Sequence, residues 1–160
     1  MNVSREKSWT IPAIAIAGLI AGILDITSAF VIAELKGMGS IRMLQGIASG
    51  LLGPQSFEGG MATAGLGLAI HFLIAFTAAS VFYVGSRHIS FLTRHAVASG
   101  LLYGIAVYVF MYWLVVPLVF AQARHSISRD LTAVIVHMVL IGLPIALVTR
   151  HFSQKQLAES

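Results

Sequence analysis

Residues 11–33 read IPAIAIAGLIAGILDITSAFVIA, a run with one charged side chain, Asp25. A helix rises about 1.5 Å per residue and the hydrocarbon of a bilayer is about 30 Å thick, so about 20 apolar residues cross it. The run is long enough. Arg5 and Lys7 precede it and Thr27-Ser28-Ala29 supplies small residues toward its end, which is the outline of a secretory leader. Its length and Asp25 argue for a retained span instead, because a leader core is shorter and wholly apolar.

Three further runs meet the same test. Residues 63–85 carry His71 as their only readily ionisable side chain, 96–120 contain no charged residue, and 131–149 contain His137. Backbone polar groups in lipid must be satisfied within each segment, so these runs are predicted to be helices. The alternating pattern of a membrane barrel strand is missing. The predicted fold is all-α, a single domain over residues 1–160 with four transmembrane helices.

Composition agrees. The 160 residues are 58% hydrophobic and 10% charged, with a mean hydropathy of +0.89, against about 25% charged for a soluble domain. Lipid is therefore the expected solvent. The net charge of +4 resides in breaks between apolar runs, such as Arg87 and Arg94 or Arg150 and Lys155. This is the pattern of loops beside a membrane, and it excludes a basic face for nucleic acid. With both termini cytoplasmic, the inside holds Arg5, Lys7, Arg87, Arg94, Arg150 and Lys155, and the outside holds Lys36, Arg42, Arg124 and Arg129. The larger basic share favours that orientation. The chain has no cysteine, so disulfides and thiolate chemistry are absent.

Between the first two spans, Lys36-Gly37-Met38-Gly39-Ser40 reads as a turn. Ile41, Leu44, Ile47, Ala48, Leu51 and Leu52 then recur at helical spacing, with Arg42, Gln45 and Ser49 between them. A short helix is expected here, lying at the interface as a lid on the bundle or dipping in and returning, and ending at Gly53-Pro54.

Small residues mark the faces on which membrane helices meet. The first span offers Ala13, Ala17, Ala21, Asp25, Ala29 and Ala33 at four-residue spacing, with Gly18 and Gly22 alongside as a GxxxG pair. The second offers Gly67, His71, Ala75 and Ala79, and the third Ala96, Gly100, Gly104, Tyr108 and Tyr112. Asp25 and His71 fall on these stripes, so they should face neighbouring helices. Pro144 should kink the fourth span and free a carbonyl near Leu140.

The polar residues also agree in depth. Asp25 and Tyr112 lie about eight residues before the ends of their spans, and His71 and His137 about eight and six after the starts of theirs. Adjacent spans run antiparallel, so all four groups sit roughly 9–12 Å below one face of the membrane. The expectation is a buried layer of Asp25, His71, Tyr112 and His137, in which Asp25 accepts a hydrogen bond from an imidazole and so fixes its tautomer, and Tyr112 donates to the other partner. Buried ionisable groups in membranes are costly and often serve proton or substrate relays, so the layer suggests proton-linked transport or small-ligand binding. The plain alternative is that these groups satisfy one another and fix helix register. No cofactor is expected, although His71 and His137 on separate helices could be axial ligands of a haem, or join Asp25 at a metal.

Enzyme motifs are missing: there is no HExxH, GxSxG, phosphate loop or paired-carboxylate motif. Glu34, Glu58 and Asp130 lie near span ends, where solvated charges are ordinary. His125 beside Ser126 and Ser128 forms a polar loop, and His88, His95 and His151 flank arginines at headgroup level. Trp9 and Trp113 read as interfacial or packing aromatics.

The segments Ile47-Ala48-Ser49-Gly50-Leu51-Leu52-Gly53-Pro54, Phe57-Glu58-Gly59-Gly60 and Leu68-Ala69-Ile70-His71-Phe72-Leu73-Ile74-Ala75-Phe76 also carry a family likeness. So do Gly100-Leu101-Leu102-Tyr103-Gly104 and Gly142-Leu143-Pro144-Ile145-Ala146-Leu147. From about residue 22 to residue 152 the chain resembles a group of uncharacterised bacterial four-helix inner-membrane proteins, and in layout it is distantly similar to YagU-like membrane proteins. The resemblance implies a bacterial inner membrane and four helices. It implies no activity, so it transfers no functional residue. A second class of function is a structural or assembly subunit, with Gly18 and Gly22 serving a membrane-protein partner or a homo-oligomer, or equally the contacts within the bundle itself.

Overall fold

The computed structural model describes residues 9–119 and 127–159, with the backbone alone for 127–129. Arg5, Lys7, Arg124, His125 and Ser126, and the side chains of Ser128 and Arg129, lie outside the described residues. The described residues contain helices and turns and no strand.

Four helices are long and apolar enough to cross a membrane, spanning Thr10–Leu35, Gly60–His88, Ala96–Val119 and Asp130–Ala158. The first is α1, Thr10–Leu35. After the turn comes α2, Ser40–Leu52, then a 3-10 turn, Gly53–Glu58, and the second span, α3, Gly60–His88. A single helical turn, α4, Phe91–Arg94, leads to the third span. That span consists of α5, Ala96–Val109, a π-helical segment, Phe110–Val115, and α6, Val116–Val119. The fourth is built the same way, from α7, Ile127–Val136, a π segment, His137–Gly142, and α8, Leu143–Ala158.

The first and fourth spans form the middle of the bundle. The second packs against the first and the third against the fourth. Small residues make these approaches possible, on the stripes their spacing indicated. Ala13, Ala17, Ala21, Ala79 and Ala96 have no exposed surface or nearly none. Gly18 and Gly22 are filled by the rings of Phe76 and Phe72 from α3, so the GxxxG pair is used within the bundle. Gly100 and Gly104 face Gly142 so closely that a methyl on Gly142 would collide with the Gly100 carbonyl. Outward-facing Leu73, Leu102 and Leu118 are more than half exposed, as lipid-facing side chains should be. The exposed hydroxyls of Thr27 and Thr77 donate back to Ile23 O (2.6 Å) and Leu73 O (2.7 Å) of their own helices. They thereby remain satisfied in hydrocarbon.

The fourth helix runs nine residues past the predicted end at 149, to Ala158. Arg150 and Lys155 end the apolar run but not the helix, since Arg, Lys and Gln are good helix formers. Its last turns fold back on the chain's beginning. Phe152 packs on Trp9 with centroids 5.7 Å apart, Lys155 Nζ lies 4.2 Å above the Trp9 ring, and Trp9 Nε1 donates to Glu159 at 2.9 Å.

The short helix α2 is present, but its buried face differs from the apolar face expected. Leu44, Gln45 and Ala48 are buried, while Ile41, Leu51 and Leu52 are exposed. Gln45 is inside because its side chain finds a partner there: its Nε2 donates to the Gly60 carbonyl at 3.1 Å, and Ser56 Oγ donates to the Gln45 carbonyl at 3.0 Å. Gly67 lies directly under the Leu44 carbonyl, allowing α2 to rest its backbone on α3.

Candidate functional site

The second and third spans diverge toward the end of the bundle away from the termini. Nearer the termini Tyr103 bridges them, its hydroxyl donating to Ala78 O at 2.7 Å and its ring meeting Phe82 edge-on at 4.9 Å. Beyond that bridge lies a cavity of about 740 Å³. Its lining includes Asp25, His71, Tyr112 and His137, one residue from each span, together with Met43 and Ile47 of α2. It reaches the surface beside Lys36 and Met38, both exposed.

Asp25 and His71 meet because Phe72 and Phe76 seat in Gly22 and Gly18. That contact fixes α3 against α1 and brings His71 to the Gly22 carbonyl, with His71 Nε2 2.9 Å from that oxygen. A carbonyl only accepts, so Nε2 carries the proton and donates. His71 Nδ1 is then 3.9 Å from Asp25 Oδ2, with side-chain exposures of 12% and 19%. That is too far for a direct hydrogen bond. The sequence led us to expect Asp25 to fix the imidazole tautomer. Instead the Gly22 carbonyl fixes it, and Asp25 faces the nitrogen left over.

His137 is held the same way by its own helix. Its Nδ1 lies 2.8 Å from the Ala133 carbonyl one turn earlier, so Nδ1 is the donor and Nε2 is left over. Gly104 passes against the His137 backbone, which places Tyr108 and Tyr112 beside the imidazole. The two tyrosine rings stack at 5.0 Å and meet His137 edge-on at 5.9 and 5.7 Å. Tyr112 was expected to donate a hydrogen bond into the layer; it contributes its ring, and no hydrogen bond links it to His137 among the described residues.

Tyr112 and His137 lie in the two π segments. Each segment ends shortly before a proline, Pro117 or Pro144. A proline lacks an N–H and its ring crowds the carbonyl four residues back, so the preceding turn widens to five-residue bonding. At Pro144, where a kink was expected, the described feature is this π segment. Pro117 carries the same signal in the third span and was not singled out, and neither was the ring role of Tyr108. Single-turn π segments in helices are frequent at functional sites.

Two pairs thus face one cavity, Asp25 with His71 and Tyr112 with His137. Among the described residues, no group of three His, Asp or Glu side chains is close enough to hold a metal ion. No family model, curated protein or solved structure matches the chain.

Proposed function

We propose that this protein binds a small ligand in the cavity and couples its movement to a proton. We place it in a bacterial inner membrane with both termini on the cytoplasmic side. The observation that carries the reading is His71, fixed through Nε2 to Gly22 and presenting Nδ1 to Asp25 at 3.9 Å. With a proton on Nδ1 the two groups form an ion pair. Without it, a lone pair faces a carboxylate, and the cavity holds an uncompensated negative charge that an entering group must neutralise. One proton thereby changes what the cavity offers a ligand.

Vesicles reconstituted with the protein and loaded with a pH-sensitive dye test this. When a small organic amine, alcohol or carboxylate is added in turn outside the vesicles across an imposed pH gradient, at least one should change the internal pH faster than in protein-free vesicles, and Asp25→Asn and His71→Ala should remove the difference while the protein stays folded. Wild-type vesicles that behave as protein-free ones would end the transport reading. Variants that fail to accumulate would point to a register-fixing role. The chain lacks cysteine, so single cysteines at Ser90 and Ser40, probed with an impermeant maleimide, report orientation directly. For the assembly-subunit alternative, Gly18 and Gly22 are taken by Phe76 and Phe72, so a partner would meet another face, and co-purification through mild detergent tests it. A visible spectrum of the purified protein decides the haem alternative.

A further inference from the structure

We propose that the ligand is a lipophilic primary ammonium or guanidinium ion, held by two of its own N–H groups between Asp25 Oδ2 and His71 Nδ1. The inference rests on the reading of the cavity as a ligand site and names the chemical class that site takes.

Geometry comes first. With His71 Nε2 committed to the Gly22 carbonyl, neutral His71 offers Nδ1 only as an acceptor. Asp25 Oδ2 is a second acceptor 3.9 Å away. Two acceptors that face each other at this distance require a donor between them. A nitrogen bonded to both at about 2.8 Å would subtend an angle of about 90°, within the range that two hydrogens on one nitrogen can serve. A nitrogen with three carbon substituents and one hydrogen satisfies one acceptor, and a quaternary nitrogen satisfies neither.

Charge comes second. Among the described residues Asp25 is the only Asp or Glu lining the cavity, and a carboxylate at this depth needs a cation. The nearest fixed cation on its own helix is Lys36, at the mouth, about 16 Å farther along the axis. Size and lining come third. One water occupies about 30 Å³ of liquid, far less than the cavity's 740 Å³, which falls in the range of small-molecule sites. Apart from its few polar residues the wall is apolar and includes Ile26, Ile74, Val107 and Met111, and Tyr112 lines it too. Such a wall suits a hydrocarbon body, and an aromatic face suits a cationic head. The Nδ1 lone pair accepts either a proton or a ligand N–H, so ligand and proton exclude each other at this atom.

The test uses the full chain in lipid nanodiscs and calorimetric titration with three matched probes: phenethylammonium, its N,N,N-trimethyl analogue and phenethyl alcohol. Phenethylammonium should bind saturably and at least tenfold more tightly than the other two, since hydrogen bonds to charged groups are the stronger class. Asp25→Asn should weaken it by tenfold or more, His71→Phe should lower it to the affinity of the trimethyl analogue, and Arg87→Gln, exposed at the opposite end of α3, should leave it within twofold. Equal binding of the primary and quaternary ions overturns the proposal, as does indifference to Asp25→Asn, or no binding beyond empty nanodiscs. The three-probe comparison on the unmutated protein decides the matter even if a variant does not fold. Proton flux without amine preference would overturn this inference alone; amine preference without flux would overturn transport alone.

Discussion

At the end of the bundle that carries the termini, Ala13, Ala17, Ala79, Ala96 and Ile145 have no exposed surface and Phe82 has 2%. At the other end, the third span contributes no buried residue from Phe110 to Val119, and the second and third spans enclose a cavity. Both ends use the same small-residue stripes. The difference lies in what the stripes carry. Where every position is Ala or Gly, backbones close on one another. Where Asp25, His71, Tyr108 and Tyr112 replace them, and π turns before Pro117 and Pro144 widen the helices, the spans stand apart around polar groups. Packing without a hydrophobic drive between helices depends on such close fit, so a single substitution should act very differently at the two ends.

The largest effect is expected where glycines meet. Gly142→Val would drive a side chain into the Gly100 carbonyl and the Gly104 backbone, costing about 4 kcal/mol or more. Folded protein should then be lost from size-exclusion profiles. Gly65→Val, with nothing within 4 Å of its added carbon, should leave the profile unchanged. Next, Gly67→Ala meets the Leu44 carbonyl. It should cost about 2 kcal/mol and release α2, seen as faster amide hydrogen exchange from Leu44 to Leu52 with the spans still protected.

A direct comparison of the ends pairs Ala17→Leu with Ala29→Leu. The first overpacks a position without free surface and should cost about 1–3 kcal/mol in denaturant unfolding. The second projects into the cavity, should leave stability nearly unchanged, and should weaken ligand binding by excluding it. Equal destabilisation of the two would remove the distinction drawn here. The smallest effect belongs to Tyr103→Phe, which deletes the hydrogen bond to Ala78 at the boundary between the ends. About 0.6 kcal/mol is expected from hydrogen bonds of this kind in membranes.

Much of this was legible before any coordinates. Hydropathy and length located the four spans, because the bilayer imposes one length scale on every crossing segment. Four-residue spacing placed Asp25 and His71 toward their neighbours, and antiparallel counting brought Asp25, His71, Tyr112 and His137 to one level. What it could not convey was which atoms meet. The imidazoles are fixed by the carbonyls of Gly22 and Ala133, and backbone carbonyls are the same at every position of a sequence. Gln45 looked polar and outward-facing because its partner, the Gly60 carbonyl, becomes available only when the chain turns at Gly59 and Gly60. The helix beyond residue 149 was hidden for another reason: hydropathy reports where lipid ends, and α8 continues into water. Pro117 was readable, as a counterpart of Pro144 ahead of the same kind of widened turn.

The clasp of Trp9 with Phe152, Lys155 and Glu159 means that the first crossing starts where the last one finishes, so the two central spans are joined at their outer ends. Connectivity through that pair is then a matter of where the chain is cut. A permuted gene opened between Ile89 and Ser90, with a short linker across Trp9 and Glu159, would enter the membrane with each crossing in its original direction and beside its original partners.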